Sequence, residues 1–346
     1  MNNFDKVEKI AQEILKHKAL YYQGRAIISD HEFDKLEDDL KKLDPHNPVL
    51  SLVGSTVKNA DKIKHDKKML SLEKTYDKDD LKKWVNGYDV VSTFKVDGIS
   101  CSLVYEAGRL KIAKTRGDGQ FGEDIYLKTQ WIKDVIKQLD HNTIKNCEIR
   151  GEIYCTEDEL FHLSEEMEKI ELDKPSSQRN IVAGLIGRKE NLELCRYLNF
   201  KAFDLLTDDV KIATEFEKGK ILKEMHFNTA NFYLHLNGEK IEDAINDAKD
   251  FMEEGDYLID GLVLTYNDIK LHNELGETAH HPRYKMAFKF QGVSKKSHIK
   301  DIIWSVSRNG VLTPVALIEP IELSGAMISR VTLHNYGLVK QYKLKG

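Results

Sequence analysis

The chain is poor in cysteine and proline, with 4 cysteines and 6 prolines among its 346 residues. The cysteines, at positions 101, 147, 155 and 195, form no C-x-x-C pair, so we expect neither a structural zinc site nor disulfides. That usage is typical of a cytoplasmic protein. No hydrophobic run approaches the roughly 18 residues that span a bilayer, and no basic stretch followed by an apolar one opens the chain. We therefore expect no membrane partner and no signal peptide.

What the chain does contain is typical of a globular protein with a hydrophobic core: 41% of its residues are hydrophobic and 32% are charged. Its length is enough for about two or three domains. The net charge of −5 neither requires nor excludes a nucleic-acid partner, because binding depends on whether positive charge is clustered on one face.

Residues 1–65 are predicted to form a helical domain. Apolar residues recurring every three or four positions mark the buried stripe of a first helix: Val7, Ile10, Ala11, Ile14 and Leu15. Ser29 and Glu32 form the capping box of a second helix. Two adjacent tyrosines, Tyr21 and Tyr22, precede this helix and cannot share one helix face, so we expect at least one of them to face outward. Asp30 and Asp34, one turn apart, lie on the same face of the helix. The lysine-rich residues 55–68 are predicted to be a solvated linker.

Beyond residue 90 the sequence pattern changes to a period of two, which predicts strands. A hairpin is expected at Glu106-Ala107-Gly108-Arg109. Several strands carry a charged residue among apolar neighbours: Lys95, Arg116, Arg150 or Glu152, Asp260 and Lys289. Because a buried charge is costly unless it is compensated, several in one region indicate a single polar cleft in the sheet.

Lys95, in Thr93-Phe94-Lys95-Val96-Asp97-Gly98-Ile99, is the candidate nucleophile of this cleft. Free lysine has a pKa near ~10.4, and desolvation or nearby cations favour the reactive neutral amine. Cations would also neutralise phosphate oxygens, whereas Glu152 and Asp260 would hold Mg²⁺ or a sugar hydroxyl. The alternative interpretation is a strand-edge lysine with its head group in water. The residues together indicate phosphoryl or nucleotidyl transfer to a lysine.

The motifs of the chain follow one order and spacing. They are Tyr-Tyr at 21–22, Ile-Ser-Asp-x-x-x-Asp at 28–34, Met-Leu-Ser-Leu at 69–72, Lys-Val-Asp-Gly at 95–98, Thr-Arg-Gly-Asp-Gly at 115–119, Arg-Gly-Glu at 150–152, Asp-Gly-Leu-Val at 260–263, Ala-Phe-Lys-Phe at 287–290, Gly-Val-Leu-Thr-Pro-Val-Ala at 310–316 and Thr-Leu-His-Asn at 332–335. Each is weak alone. As a set, they resemble the N-terminal catalytic part of bacterial-type NAD⁺-dependent DNA ligases.

The resemblance implies an α+β fold in three parts. These are a helical domain at 1–65 that recognises nicotinamide mononucleotide, a nucleotidyltransferase (adenylation) domain at 66–292, and a partial OB-fold at 293–346. Because the chain ends inside the OB fold, we expect a fragment of a longer ligase, a compact variant, or a second polypeptide that completes the fold. We also expect a monomer that acts on nicked double-stranded DNA.

The resemblance also implies a mechanism. Lys95 attacks the α-phosphate of NAD⁺ and releases nicotinamide mononucleotide, after which AMP passes to the 5′-phosphate of a nick and the 3′-hydroxyl displaces it. The implied roles are Asp260 orienting Lys95 or a metal, Lys289 contacting the α-phosphate, Arg116 and Glu152 holding the ribose and phosphate of AMP, Ser71 and Leu72 lining the adenine pocket, Arg179 approaching the phosphate, Arg308 contacting the DNA backbone, and Tyr21, Tyr22, Asp30 and Asp34 gripping the nicotinamide mononucleotide.

Two threonines depart from the family pattern. Thr93 stands where the family has a glutamate that reads the adenine amino group, and Thr265 stands where it has a lysine, which implies that one cation beside the phosphates is missing. These departures leave open a degenerate ligase that binds NAD⁺ or nucleic acid without turnover, or an adenylation-only fragment that needs a partner chain. An ATP-dependent ligase or RNA-capping relative shares the lysine motif, but the N-terminal Tyr-Tyr and aspartate element argues against it.

Overall fold

The computed structural model describes residues 6–7, 9–11, 13–14, 17, 28–45, 50, 62–173, 175, 177–290, 295–306, 312–323, 326–333 and 336–341. Tyr21, Tyr22, Arg308 and the side chain of Asp30 lie outside them, so the predictions for these residues stay predictions. The fold is of the α+β class, as predicted, and divides into two units, Met1–Gln291 and Gly292–Gly346. None of the described helices is long and apolar enough to cross a membrane.

The first of two large sheets in unit 1 has the strand order β2-β11-β10-β3-β9. Its strands are β2 (Glu73–Thr75), β3 (Val90–Val96), β9 (Tyr233–His235), β10 (Ile259–Tyr266) and β11 (Lys285–Lys289). All pairs are antiparallel except β2 with β11. Alternation along β3 buries Phe94 and Val96 in an apolar core with α-helical cover, and leaves Thr93 and Lys95 on the opposite face, which is partly exposed.

The second sheet has the antiparallel order β5-β4-β7-β8. Its strands are β4 (Ile99–Glu106), β5 (Arg109–Thr115), β7 (Cys147–Tyr154) and β8 (Asn199–Leu206). The hairpin predicted between β4 and β5 is confirmed. Ala107 and Gly108 have φ of 49° and 77°, the left-handed conformation that matches the twist of paired strands.

The described residues of unit 1 also form helices, several of which pack against the strands of these sheets. They are α1 (Asp30–Leu43), α2 (Lys78–Val85), α3 (Tyr126–Thr129), α4 (Glu157–Lys169), α5 (Gln178–Gly187), α6 (Glu215–Glu224), α7 (Ile241–Glu254) and α8 (Ile269–Leu275), with 3₁₀ turns at Leu192–Tyr197 and Leu236–Gly238. The capping box is confirmed, because the Ser29 backbone N–H donates to Glu32 Oε2 at 2.8 Å and the Glu32 N–H donates to Ser29 Oγ at 3.3 Å. Helix α5 is capped by Ser177, whose hydroxyl accepts a hydrogen bond from the Asn180 backbone N–H.

The prediction of a solvated linker at 55–68 is wrong for its described part. Residues Lys62–Lys64 form strand β1, which pairs antiparallel with β6 (Phe121–Glu123) in the glycine-rich loop. Arg150 then donates from Nη2 to the Lys67 carbonyl at 2.6 Å and from Nη1 to the Lys68 carbonyl at 3.1 Å. The lysine head groups suggested a solvated segment, but the backbone supplies the contacts.

Unit 2 contains an antiparallel sheet of order β12-β13-β14. Its elements are β12 (Ile299–Val306), β13 (Leu312–Leu323), β14 (Ala326–Thr332) and helix α9 (Tyr336–Gln341). Strand β13 is the longest of the three, with 12 residues.

Candidate active site

The site is built on neighbouring strands of the first sheet, where Lys95 of β3, Gly261 of β10 and Lys289 of β11 stand in one row. Residues directly opposite one another in a sheet project their side chains to the same face. Lys95 and Lys289 therefore point together into a cleft of about 530 Å³ that both sheets line. The sequence predicted this convergence of strand-borne charges.

Asp260 holds the two lysines together. Lys95 Nζ lies 3.0 Å from Asp260 Oδ1, and Lys289 Nζ lies 3.3 Å from Asp260 Oδ2. Burial acts to raise the pKa of Asp260, but Lys95, Lys289 and Arg179 outweigh it and lower that pKa. The carboxylate is therefore ionised at neutral pH and fixes both ammonium groups.

A β-bulge brings Asp260 to this face. The register between β10 and β3 shifts between Ile259 and Gly261, so strict alternation is broken at Asp260. Gly261 has φ of +153°, and a Cβ there would lie 2.1 Å from the Phe288 carbonyl oxygen. The sequence signal was the Asp-Gly pair inside an apolar strand, which the bulge and the close backbone contact explain.

Asp34 reaches the same group of charges from helix α1. Its Oδ2 lies 3.1 Å from Lys289 Nζ, its Oδ1 lies 2.7 Å from Lys74 Nζ, and the Tyr76 hydroxyl donates to Oδ2 at 2.5 Å. Burial opposes ionisation of Asp34, but Lys289 and Lys74 lower its pKa overall. Sequence analysis missed Lys74 and Tyr76; their position just after Met-Leu-Ser-Leu was the available signal.

Glu152 faces these residues from β7 of the second sheet. Ser100 Oγ donates to Glu152 Oε2 at 2.6 Å. Burial raises the pKa of Glu152 to about 7, although Ser100, Lys95 and Arg116 act in the opposite direction. Arg116, which follows β5, also lines the cleft, so two residues of the second sheet lie across from Lys95.

Arg179 and Asp97 close the cleft near the end of β3. Arg179 Nη1 lies 3.2 Å from Asp97 Oδ2, which ties helix α5 to the turn after the candidate nucleophile. A Cβ on Gly98 would lie 2.0 Å from the Ile153 carbonyl oxygen, so the turn approaches β7 as closely as only glycine allows. Ser71 and Leu72 line the same cleft. Arg150, in contrast, is occupied by Glu148 and backbone carbonyls.

Thr265 lies apart from the row of Lys95 and Lys289. It stands four residues beyond Gly261 on β10 and pairs with Val91 and Lys285. At about 3.4 Å per residue that is roughly 13 Å from that row. The replacement of the family's lysine by Thr265 therefore affects another part of the cleft, and the loss of a cation beside the phosphates stays a prediction.

The magnesium prediction for Glu152 and Asp260 does not fit the geometry. Two ammonium groups contact the Asp260 carboxylate, and the raised pKa of Glu152 leaves it partly protonated at neutral pH, whereas a metal ligand must be ionised. Within the described ranges, no three or more His, Cys, Asp or Glu side chains are grouped to hold a metal ion. We assign no chemical step to Mg²⁺.

Comparison with known proteins gives the family. The model of the NAD-dependent DNA ligase adenylation domain matches residues 57–293, and that of the NAD-dependent DNA ligase OB-fold domain matches residues 296–345. The chain is 34% identical to a DNA ligase of Thermosipho africanus, over 99% of this chain and 54% of that protein. It is 32% identical to a DNA ligase of Clostridioides difficile, over 99% and 53%.

Among solved structures, a mycobacterial DNA ligase D complexed with ATP and MES is similar over 80% of this chain and 77% of that one, with a TM-score of 0.39 at 13% identity. That likeness adds nothing to the sequence matches. The two family matches define the class, a protein with a ligase adenylation domain followed by an OB-fold domain. More particularly, the chain belongs to the NAD-dependent DNA ligase family, and it spans about half the length of the two DNA ligases named above.

Proposed function

We propose that the chain carries out the adenylation chemistry of an NAD⁺-dependent DNA ligase, with Lys95 as the nucleophile and nicked double-stranded DNA as the final acceptor. The observation that supports it best is the arrangement around Lys95: its ammonium lies 3.0 Å from Asp260, which also contacts Lys289, in a cleft that holds Arg116, Glu152 and Arg179. A strand-edge lysine with its head group in water would not require these charged side chains around it.

In the proposed reaction, Lys95 Nζ loses its ammonium proton to solvent, forms a bond to the α-phosphorus of NAD⁺ and releases a second proton to solvent as the phosphoramidate forms. The bond from that phosphorus to the bridging oxygen breaks, and nicotinamide mononucleotide leaves with the electron pair. Lys289 and Arg179 are the cations placed to balance the charge that accumulates on phosphate oxygens. Asp260 holds Lys95 and Lys289 in position, so it is a positioning residue.

The N-terminal helix is proposed to hold the nicotinamide mononucleotide half. Asp34 supports this because it contacts Lys289, the residue proposed to contact the α-phosphate. Tyr21, Tyr22 and Asp30 are proposed for the same surface from the resemblance. Ser71 and Leu72, which line the cleft, are proposed for the adenine side. The three-part division at residues 65 and 292, the monomeric state, the cytoplasmic location and a second polypeptide completing the OB fold also stand as proposals.

Intact mass spectrometry tests the nucleophile. The protein is first treated with excess nicotinamide mononucleotide to clear bound AMP, then incubated in Mg²⁺ buffer with NAD⁺ or, in parallel, with ATP. We expect an AMP adduct with NAD⁺ alone, no adduct in Lys95→Ala, and an unchanged adduct in Lys83→Ala, which removes an exposed lysine paired with Asp80. An adduct in Lys95→Ala would refute the assignment of the nucleophile. No adduct in the parent protein with either nucleotide would favour the degenerate binding protein.

A further inference from the structure

Three rows of residues on the first sheet face the cleft. The row furthest from the candidate nucleophile contains a lysine, Lys285, that has no role in the proposed reaction. The rows are Lys95, Gly261 and Lys289; then Thr93, Val263 and Ala287; then Val91, Thr265 and Lys285. Four residues separate the outer rows, or about 13 Å along the strands. An extended nucleotide with a hydrogen bond at its phosphate and another at the far edge of its base covers a comparable length. If the phosphate lies at Lys95, the base lies beside Lys285.

The walls around this third row are suited to a purine. Phe203 and Phe232 line this part of the cleft with Val91, and they offer apolar surface to the faces of a ring. Thr93, Thr265 and Lys285 line it as well and supply polar groups for the ring edge. Apolar walls with a few placed polar groups are the usual construction of a base pocket.

Lys285 is held rigidly and charged. Its Nζ lies 3.2 Å from Asp204 Oδ2 and 3.3 Å from Glu215 Oε1, and the same two carboxylates bind Lys218 at 2.7 and 3.1 Å. Burial acts to lower the pKa of Lys285, but Asp204 and Glu215 raise it overall. An ammonium has three donors, so two carboxylate contacts leave a third for a ligand in the cleft that Lys285 lines.

We propose that Lys285 determines specificity for the adenine base by donating a hydrogen bond to ring nitrogen N1. This proposal rests on the proposed function, because it takes the phosphate to lie at Lys95. With the phosphate anchored there, the ring edge furthest from the ribose points toward the third row, and N1 is the acceptor on that edge. Lys285 also stands directly across the β10–β11 ladder from Thr265, where the resemblance implies a lysine, so the cation has changed strand and kept its row.

The test compares adduct formation with NAD⁺ and with its 1,N⁶-etheno analogue, in which N1 can no longer accept a hydrogen bond. The measured quantity is the ratio of the two values of kcat/KM, since a ratio is insensitive to the fraction of folded protein. We expect the parent protein to prefer NAD⁺, and Lys285→Met to lose about 10-fold of that preference, as for removal of a charge-assisted hydrogen bond. The loss should fall on NAD⁺, chiefly as a higher KM.

Two further variants make the test specific. Lys218→Met removes the other cation of the same carboxylate pair, but Lys218 does not line the cleft, so it should destabilise the fold and leave the ratio unchanged. The double variant Thr265→Lys/Lys285→Thr moves the cation across the ladder and should retain the preference for NAD⁺.

The outcomes separate this proposal from the function on which it rests. Equal use of NAD⁺ and the etheno analogue by the parent protein would overturn the proposal without any variant. An unchanged ratio in Lys285→Met, or an equal loss in Lys218→Met, would do the same while leaving lysine adenylation intact. The absence of any adduct in the parent protein would overturn the proposed function and this inference with it.

Discussion

Burial of the Glu152 carboxyl should make the free energy of unfolding of unit 1 fall as the pH rises toward neutrality. The carboxyl is buried on β7, and its pKa in the folded protein is about 7 against a usual value of 4.5. Below pH 4.5 the group is protonated in both the folded and unfolded states and costs nothing. Between the two pKa values the unfolded chain loses its proton first, so the folded state is progressively disfavoured. Above about 7 the penalty is complete.

The size of the effect follows from the two pKa values. One pKa unit corresponds to about 1.4 kcal/mol, so a rise from 4.5 to about 7 amounts to about 3 kcal/mol. Glu152→Gln keeps the shape of the side chain and an acceptor for Ser100 Oγ, which now lies 2.6 Å from Oε2, but it has no charge to bury. The variant should therefore gain about 3 kcal/mol relative to the parent protein on going from about pH 4.5 to about pH 8.

Urea unfolding followed by circular dichroism at several pH values measures this difference. Because other groups titrate in both proteins, the informative quantity is the free energy of unfolding of Glu152→Gln minus that of the parent at each pH. Glu106→Gln on neighbouring β4, where the carboxylate is exposed to water, is the matched control and should show a flat difference. A flat difference for Glu152→Gln as well, with unchanged m-values, would mean that Glu152 is ionised in the folded protein and would refute the reasoning.

Two further predictions concern residues around the cleft. Asp34→Asn weakens the ion pairs with Lys74 and Lys289, so it should impair adduct formation from NAD⁺ by at least about 10-fold. It should spare the transfer of AMP from a preformed adduct to nicked DNA. Equal losses in rapid-quench assays of both steps would contradict this role. Gly261→Ala drives a Cβ to 2.1 Å from the Phe288 carbonyl oxygen and should cost about 3 kcal/mol or more of unfolding free energy. An unchanged urea midpoint would show that the strands separate freely there.

Much of the fold was predictable because it depends on local chemistry. The Ser29–Glu32 box and the Ala107-Gly108 turn each need only neighbouring residues, and both formed as expected. Segment 62–68 was mispredicted because its partners, β6 and Arg150, are distant in sequence and bind its backbone, which composition does not reveal. The lysine head groups can lie in water while the backbone of the same residues forms a strand.

For the charged residues of the site as well, the sequence predicts which residues come together but not which of them contact each other. The cost of burying an uncompensated charge predicted that strand-borne charges would share a cleft, and Lys95, Asp260 and Lys289 do share it. The partners themselves depend on register. Only the bulge at Ile259–Gly261 aligns Asp260 with Lys95, and only the β10–β11 ladder sets Thr265 opposite Lys285. A one-residue slip of either pairing would send these side chains to the other face of the sheet.

The contact between Asp34 and Lys289 connects the two halves of the proposed reaction. Asp34 and Asp260 share Lys289, so the ammonium is already neutralised by two carboxylates before any phosphate arrives. A phosphate oxygen that contacts Lys289 brings a third negative charge beside this ammonium and repels both carboxylates. Asp260 is also held by Lys95 and is fixed in a strand, whereas Asp34 stands on helix α1 and keeps Lys74 as a partner. Asp34 is therefore the carboxylate that can exchange. In the proposed function, binding of NAD⁺ and a change in the contacts of helix α1 are one event, which is why Asp34→Asn should act on the NAD⁺ step alone.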